Sequence, residues 1–257
     1  MKHFHYNSPY GNISYTFLKR EIPYRIDGKV YYDITTAYGY GGPLATEVTN
    51  MHFLMEGFTC AFEHYCKENL IVSEFIRFHL MENKNIRDHY HGELGEIGPH
   101  ISRDLTKSMD QDFSKSLFKT VKKANQSGLR IVTDQTGDHL DKFMELYYST
   151  MDRNNAEKFY YFDKSFFLEL HKNLPEKFVY SFVFLEDKVI SAHLTLFGDT
   201  YAYGFLGGNL QEYFHYDANT FLEYHMIDWL KKKEFILLHS WRRIQGRRRH
   251  LQLQKEV

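Results

Sequence analysis

FVYSFVFLEDKVISAHLTLFGDTYAYGFL, Phe178–Leu206, is the stretch that decides the fold. Three apolar runs, Phe178–Leu185, Val189–Phe197 and Thr200–Leu206, are separated by the turn signals Glu186-Asp187-Lys188 and Gly198-Asp199. Runs of this composition joined by such short turns read as three antiparallel strands. Downstream, Ala218–Lys233 has the spacing of an amphipathic helix and Phe235–Leu238 reads as a closing strand. Upstream lie a helix over Asp110–Gln126, stopped by Ser127-Gly128, and a short strand over Leu129–Thr133. Two more helices follow, Asp138–Met151 and Lys164–Leu174. The first carries Leu140, Phe143, Met144 and Tyr147 on one face. From Leu129 the order is therefore strand, two helices, three strands, helix, strand, which is an α/β unit.

The first half reads as strands, one long helix, then strands. Ile13–Ile22 and Lys29–Thr35 alternate, broken by the Asp27-Gly28 turn signal. A helix is predicted over Thr46–Asn69 from the spacing of Met51, Leu54, Phe58, Phe62 and Tyr65, with Phe53 beside them. Leu70–Leu80 reads as a buried strand, and Asp88–Ile101 as one or two more. This half has the order of a degenerate copy of the second, although no sequence repeat is visible. The expected domains are 1–128 and 129–257.

At 257 residues, with 43% hydrophobic and 25% charged residues, the composition is that of a folded protein with a sizeable core. Twenty Tyr and 22 Phe predict a core and a cleft built from rings. The net charge of -1 gives no general attraction for polyanions. Only Cys60 and Cys66 occur, six residues apart in the predicted helix, so a disulfide framework is not expected. No signal-peptide pattern and no run of about 20 apolar residues is present, so the expectation is a soluble, cytoplasmic protein. No His-Glu-x-x-His motif or Cys/His cluster points to a metal, and none is expected.

Several motifs, taken in order, resemble the FemAB-type peptidyltransferases and their small GNAT-like acyltransferase relatives. They are Tyr38-Gly39-Tyr40-Gly41-Gly42-Pro43, then Lys119, Lys122, Lys123, Ala124 and Gly128, then Tyr147 with Met151-Asp152-Arg153-Asn154-Asn155-Ala156 and Phe159–Phe167. The last is Val189–His193 through Tyr203, Gly204, Gly207, Tyr213 and Asn219 to Leu230. The resemblance implies two tandem GNAT-like domains and transfer of an acyl or aminoacyl group to an amine. The acceptor it implies is a small molecule or a cell-wall precursor, and the donor acyl-CoA or aminoacyl-tRNA. The long helical hairpin of the tRNA-using members has no room here, which disfavours tRNA. The glycine-rich loop that holds the coenzyme A pyrophosphate is absent before Ala218. In place of the family's Gly-Gly-Gly turn stands Ser240-Trp241-Arg242-Arg243, with five arginines by Arg249. Residues 240–257 are therefore expected to be a truncated or frameshifted tail.

The residues themselves allow both functional and plain readings. Gly41 and Gly42 permit close approach to a ligand, with Tyr38 and Tyr40 to stack on it, or form a tight aromatic turn. Lys115, Lys119, Lys122 and Lys123 form a basic helix face that suits phosphates, and equally a solvated face. Arg153 offers a fork for a carboxylate or phosphate and Asn154 an amide to orient a carbonyl, with capping and an internal salt bridge as the alternative. His193 points opposite to Ala192 and Leu194 and has the pKa of a general base near neutrality, or packs in the sheet. Tyr203 is placed to donate to an oxyanion, or to pack. Asp217 is expected to cap the long helix, with Asn219 and the first amides holding an anionic group. The expected catalytic residues are thus His193, Tyr203 and Arg153. The expected donor-binding residues are Tyr38, Tyr40, Gly41, Gly42, Lys122, Lys123, Asn154 and Asn219.

Overall fold

Strand-forming alternation opens the chain in this computed structural model, which describes residues 1–79, 81, 83–95 and 101–240. Its contacts divide the chain into Met1–Glu96 and Ile97–Val257. In the first unit β1 (Lys2–Ser8) and β2 (Gly11–Ile26) form an antiparallel pair. Ile13, Tyr15 and Phe17 of β2 are buried while the residues between them are not, as the period of two requires. Asp27 and Gly28 both take positive φ and turn the chain into β3 (Lys29–Thr35), as their sequence predicts. Next come β4 (Leu44–Thr46), α1 (Met51–Glu68), β5 (Ile71–Phe75) and the short α2 (Lys84–Arg87).

Three expectations for this unit need correction. The helix starts at Met51 rather than Thr46, because Leu44–Thr46 pairs with β2 and Asn50 caps the helix by accepting from the Phe53 amide at 3.2 Å. Phe53 is exposed, whereas Leu54, Met55, Phe58 and Phe62 form the buried stripe. The segment after α1 stays in strand only to Phe75 and is not a buried strand, since β5 ends the sheet order β1-β2-β3-β5 with Val72 and Phe75 exposed. Residues 88–95 hold no strand.

The second unit comprises β6 (Ile101–Asp104), α3 (Met109–Asp112), α4 (Lys115–Gln126), β7 (Leu129–Asp134), α5 (Leu140–Arg153) and α6 (Lys164–Asn173). Then come β8 (Phe178–Leu185), β9 (Lys188–Phe197), β10 (Tyr201–Asn209), α7 (Ala218–Lys232) and β11 (Leu237–Ser240). The sheet order is β6-β11-β10-β9-β8-β7. Strands β7 to β10 are antiparallel in sequence, and β11 returns parallel to β10 after the α7 crossover.

Both faces of this sheet are covered. Phe143, Leu146, Tyr147 and Phe167 of α5 and α6 pack on Tyr180, Phe182 and Leu194. On the other face Val121, Ala124, Phe221 and Leu222 of α4 and α7 pack on Val183 and Ile190. Double coverage explains why β8 reads as one apolar run and is buried along seven of its eight residues. The expected boundary at 128/129 differs from the observed division because β6 pairs with β11 and α4 packs with α7, which ties residues 101–128 to the second sheet. The same local order, antiparallel strands followed by a helix and a parallel strand, closes both units, as β3 with β5 and as β10 with β11. The mixed α/β class expected from sequence is therefore observed. No helix among the described residues is long and apolar enough to cross a membrane. The arginine-rich tail lies outside the described residues beyond Ser240.

The β7–α5 connection is fixed by one carboxylate. Asp134 accepts from the Thr136 and Gly137 amides at 2.7 and 2.9 Å and from the His139 amide at 2.9 Å. Burial opposes its charge, but these bonds and the Thr136 hydroxyl win, and hold its pKa at about 2. A depressed carboxyl pKa adds stability that is complete above the unfolded value near 3.8 and is lost as pH falls toward 2. Denaturant melts of wild type and Asp134→Asn should therefore differ at pH 6 and converge between pH 4 and about 2. A constant gap through that window would exclude this role.

Candidate active site

Strand β10 loses its regular pairing at one point, and the site is built around it. Gly204 pairs with Thr195 and Leu206 with Leu194, so Phe205 is an extra residue without a β9 partner. On the other side β11 accompanies β10 only from Tyr201 to Gly204 among the described residues. A cavity of about 250 Å³ opens along the remaining stretch. Its walls include Gly204–Gly207 of β10, His193 of β9, Tyr147, Thr150 and Asn154 of α5, and Asn219 and Glu223 of α7.

His193 lies as the alternation predicts, on the face opposite Ala192 and Leu194, directly across from Ser181 and Gly207. Its ring crosses β10 in a groove made by two glycines. A methyl group on Gly204 would meet its Cε1 at 2.9 Å and one on Gly207 its Cδ2 at 2.7 Å. Ser181 and Thr195 share this face, are fully buried, and have hydroxyls without a partner among the described residues. A buried unpaired hydroxyl is costly, so this face has been kept polar beneath an otherwise apolar helix.

Helix α5 reaches β10 through backbone contact. A Cβ on Gly208 would collide with the Leu146 carbonyl and come within 2.7 Å of the Tyr147 amide. Beyond it, the Asn209 amide donates to Thr150 Oγ1 at 3.0 Å. Arg153 donates through Nη1 to the Asn209 carbonyl at 2.8 Å and through Nη2 to its side-chain oxygen at 3.0 Å. Its guanidinium also lies 5.2 Å from the centre of the Phe214 ring. The fork is thus spent on holding the end of β10, and Arg153 is a positioning residue beside the cavity. Asn154, the C-cap of α5, is on the wall.

A second cavity of about 190 Å³ lies at the start of α7, and Asn219 lines both. Asp217 stands there in the left-handed conformation, φ 55°, with no side-chain cap bond, contrary to the expected cap. A 3₁₀ turn over Gln211–Tyr216 runs directly into the helix, so the Asp217 carbonyl starts the ladder, accepting from the Phe221 amide at 3.0 Å.

The other expected residues stand elsewhere. Tyr203 stacks on His239 of β11, ring centres 5.1 Å apart, and is not on the cavity wall. Lys122 and Lys123 are exposed on α4. Tyr38, Tyr40, Gly41 and Gly42 belong to the first unit. There Gly41 donates to the Arg77 carbonyl at 2.9 Å, and Gly42, φ 104°, packs on Ile76 and Phe78. Burial pushes the Tyr40 hydroxyl up. Cys66 is pushed up to about 11 by burial and Glu74, the opposite of an activated thiol. No group of three or more potential metal ligands occurs among the described residues.

Glu223 is the functional side chain the sequence reading missed. Its signal is its place four residues after Asn219, which puts both on one face of α7.

Residues 111–240 match the family described as the acetyltransferase (GNAT) domain, and the chain belongs to that family. The match lies within the second unit and contains the whole cavity. Its class is therefore a GNAT-type acyltransferase. Among solved structures, FemX is similar with TM-score 0.59 and 12% identity over 87% of this chain and 79% of that one. The C-terminal domain of a putative lysylphosphatidylglycerol synthetase from Agrobacterium fabrum matches with TM-score 0.59 and 10% identity, over 92% and 70%. L-PGS from Bacillus licheniformis gives 0.54 and 10%, over 93% and 70%. At these identities the likeness is one of fold. No curated protein matches the sequence.

Two substitutions test this framework. Arg153→Lys keeps the charge but cannot grip Asn209 at two points, and should lower stability by about 1–3 kcal/mol in denaturant melts. Gly208→Ala forces β10 away from α5 and should cost about 2 kcal/mol or more. Wild-type stability in both variants would contradict the packing described.

Proposed function

We propose that the second unit transfers an acyl or aminoacyl group from an activated donor to an amine, with the reacting carbonyl beside Phe205. The carrying observation is the bulge itself. It leaves backbone out of the β9 ladder at the point where His193, Asn219 and Glu223 line one cavity. Unpaired strand amides there suit a carbonyl oxygen that gains charge when it is attacked, which replaces Tyr203 in that role. His193 or Glu223 takes the proton of the incoming amine, and Asn154 and Asn219 orient the partners. The amine nitrogen forms the new bond to carbon, and the donor's leaving group departs with the electron pair of the broken bond. No covalent enzyme intermediate is needed.

For the donor, the two cavities that share Asn219 suit an extended thioester arm, and the first amides of α7 suit a phosphate group. Asp217 and the aromatic Tyr213 and Phe214 stand at that end, with no lysine or arginine on its wall. Exposed Lys122 and Lys123, on the helix packed beside α7, supply cations for the donor's phosphates. Bound acyl-CoA would supply the activated acyl group. Aminoacyl-tRNA is the second reading, favoured by the fold shared with an enzyme named for lysylphosphatidylglycerol synthesis. That neighbour also supports a cell-envelope acceptor, reached from the cytoplasm.

Thermal-shift titration with acetyl-coenzyme A tests the donor. A saturable rise in Tm identifies a coenzyme A donor, and a cooperative melt without a shift moves the assignment to aminoacyl-tRNA. With the acceptor found, His193→Ala and Glu223→Gln should identify the base by a rate loss of about 100-fold in one of them. Unchanged kcat/KM from pH 6 to 8 in both variants would remove this site.

A further inference from the structure

The first unit carries a cavity of its own, about 330 Å³, between α1, β5 and the segment around Tyr90. Its walls are the rings of Phe58, Phe62 and Tyr90, and Glu74 of β5 lies among them. We propose that this cavity binds a small primary amine, held as its ammonium ion against Glu74. The inference stands apart from the transfer chemistry of the second unit.

Glu74 is the reason. Tyr15, itself fully buried, donates to Oε1 at 2.7 Å, and the Tyr90 hydroxyl donates to Oε2. Both oxygens are thus used as acceptors, the arrangement of an ionised carboxylate. Yet Glu74 forms no ion pair among the described residues. The nearby cations have other partners. Lys67 pairs with Glu63 on the exposed side of α1, and Lys19 donates to the Asn69 carbonyl at 3.0 Å and lies 4.0 Å over the Tyr32 ring. Burial pushes the Glu74 carboxyl up, and the two phenols oppose that rise without cancelling it. A half-buried carboxylate without a counter-ion is costly, and a cation placed in the cavity removes the cost.

The walls choose the kind of cation. Phe58 and Phe62 lie parallel with centres 5.5 Å apart, and Tyr90 meets Phe78 edge to face at 5.4 Å. Ring faces around a carboxylate suit an alkyl or aryl chain ending in an ammonium group, through cation–π attraction and apolar contact. Each carboxylate oxygen keeps acceptor capacity after its tyrosine bond, so it can take an N–H as well. The described residues hold no set of three metal ligands here, so the site suits an organic cation.

Binding of phenethylamine and of n-hexylamine to the full chain, measured by ligand-observed NMR at pH 7, tests the proposal, with 2-phenylethanol as the uncharged control. At least one amine should bind saturably, and 2-phenylethanol at least about tenfold more weakly. Glu74→Gln should weaken the amine by about tenfold or more, with circular dichroism confirming its fold. Should that variant not fold, Thr59→Phe, which fills the cavity from α1 and leaves the carboxylate in place, should also abolish binding. Binding of neither amine, equal binding of alcohol and amine, or undiminished binding in the folded variants would each overturn the proposal.

Discussion

The site depends on where β10 stops being a well-paired strand. A strand buried on both faces must satisfy its backbone along both edges, and β10 does so only as far as Gly204. There Phe205 is inserted against β9, and β11 goes no further alongside among the described residues. Everything nearby accommodates that break. Gly204 and Gly207 make room for the His193 ring, Gly208 lets α5 touch the strand, and Arg153 with Thr150 ties down the far end at Asn209. The cavity exists because these contacts hold a broken strand open.

Polar groups are concentrated where the sheet can least afford them. Ser181 and Thr195 lie fully buried on the His193 face, beneath a helix whose other contacts are apolar. Apolar residues at these places would favour the fold, so a polar face beside His193 is more readily understood as serving the site than the core. Glu74 presents the same tension in the first unit. There a carboxylate rests among rings with two phenols for partners and no cation. The two units share a local order of strands, helix and parallel strand, but their polar groups sit in unlike surroundings.

Much of the second unit was legible because its signals are local. Turn residues after Leu185 and Phe197 set the strand ends, the helical spacing gave α5, α6 and α7 to within a few residues, and the alternation around His193 gave its face. Arg153 shows the limit. Its residue type and place after a helix fit an anion grip, and only the fold brings Asn209, 56 positions away, into its fork. Asp217 fails as a cap for a local reason, since the preceding 3₁₀ turn fixes it left-handed. The aromatic-glycine run at Tyr38–Pro43 was correctly read as needing positive φ, at Gly39 and Gly42, but the packing of Gly41 and Gly42 on residues 76–79 is tertiary.

Sequence by itself determined the α/β class, the antiparallel β8–β9–β10 meander and the crossover into a closing strand, because turn chemistry and side-chain period act between near neighbours. The tertiary structure alone decided the division near residue 96, which rests on β6 pairing with β11 more than 130 residues away. It also decided the strand bulge, the commitment of Arg153, and the meeting of His193, Asn219 and Glu223 around one cavity. Each joins distant segments through geometry that leaves no mark in the spacing of residues, since a bulge or a shared hydrogen bond is chosen by the partner strand or helix that the chain brings back.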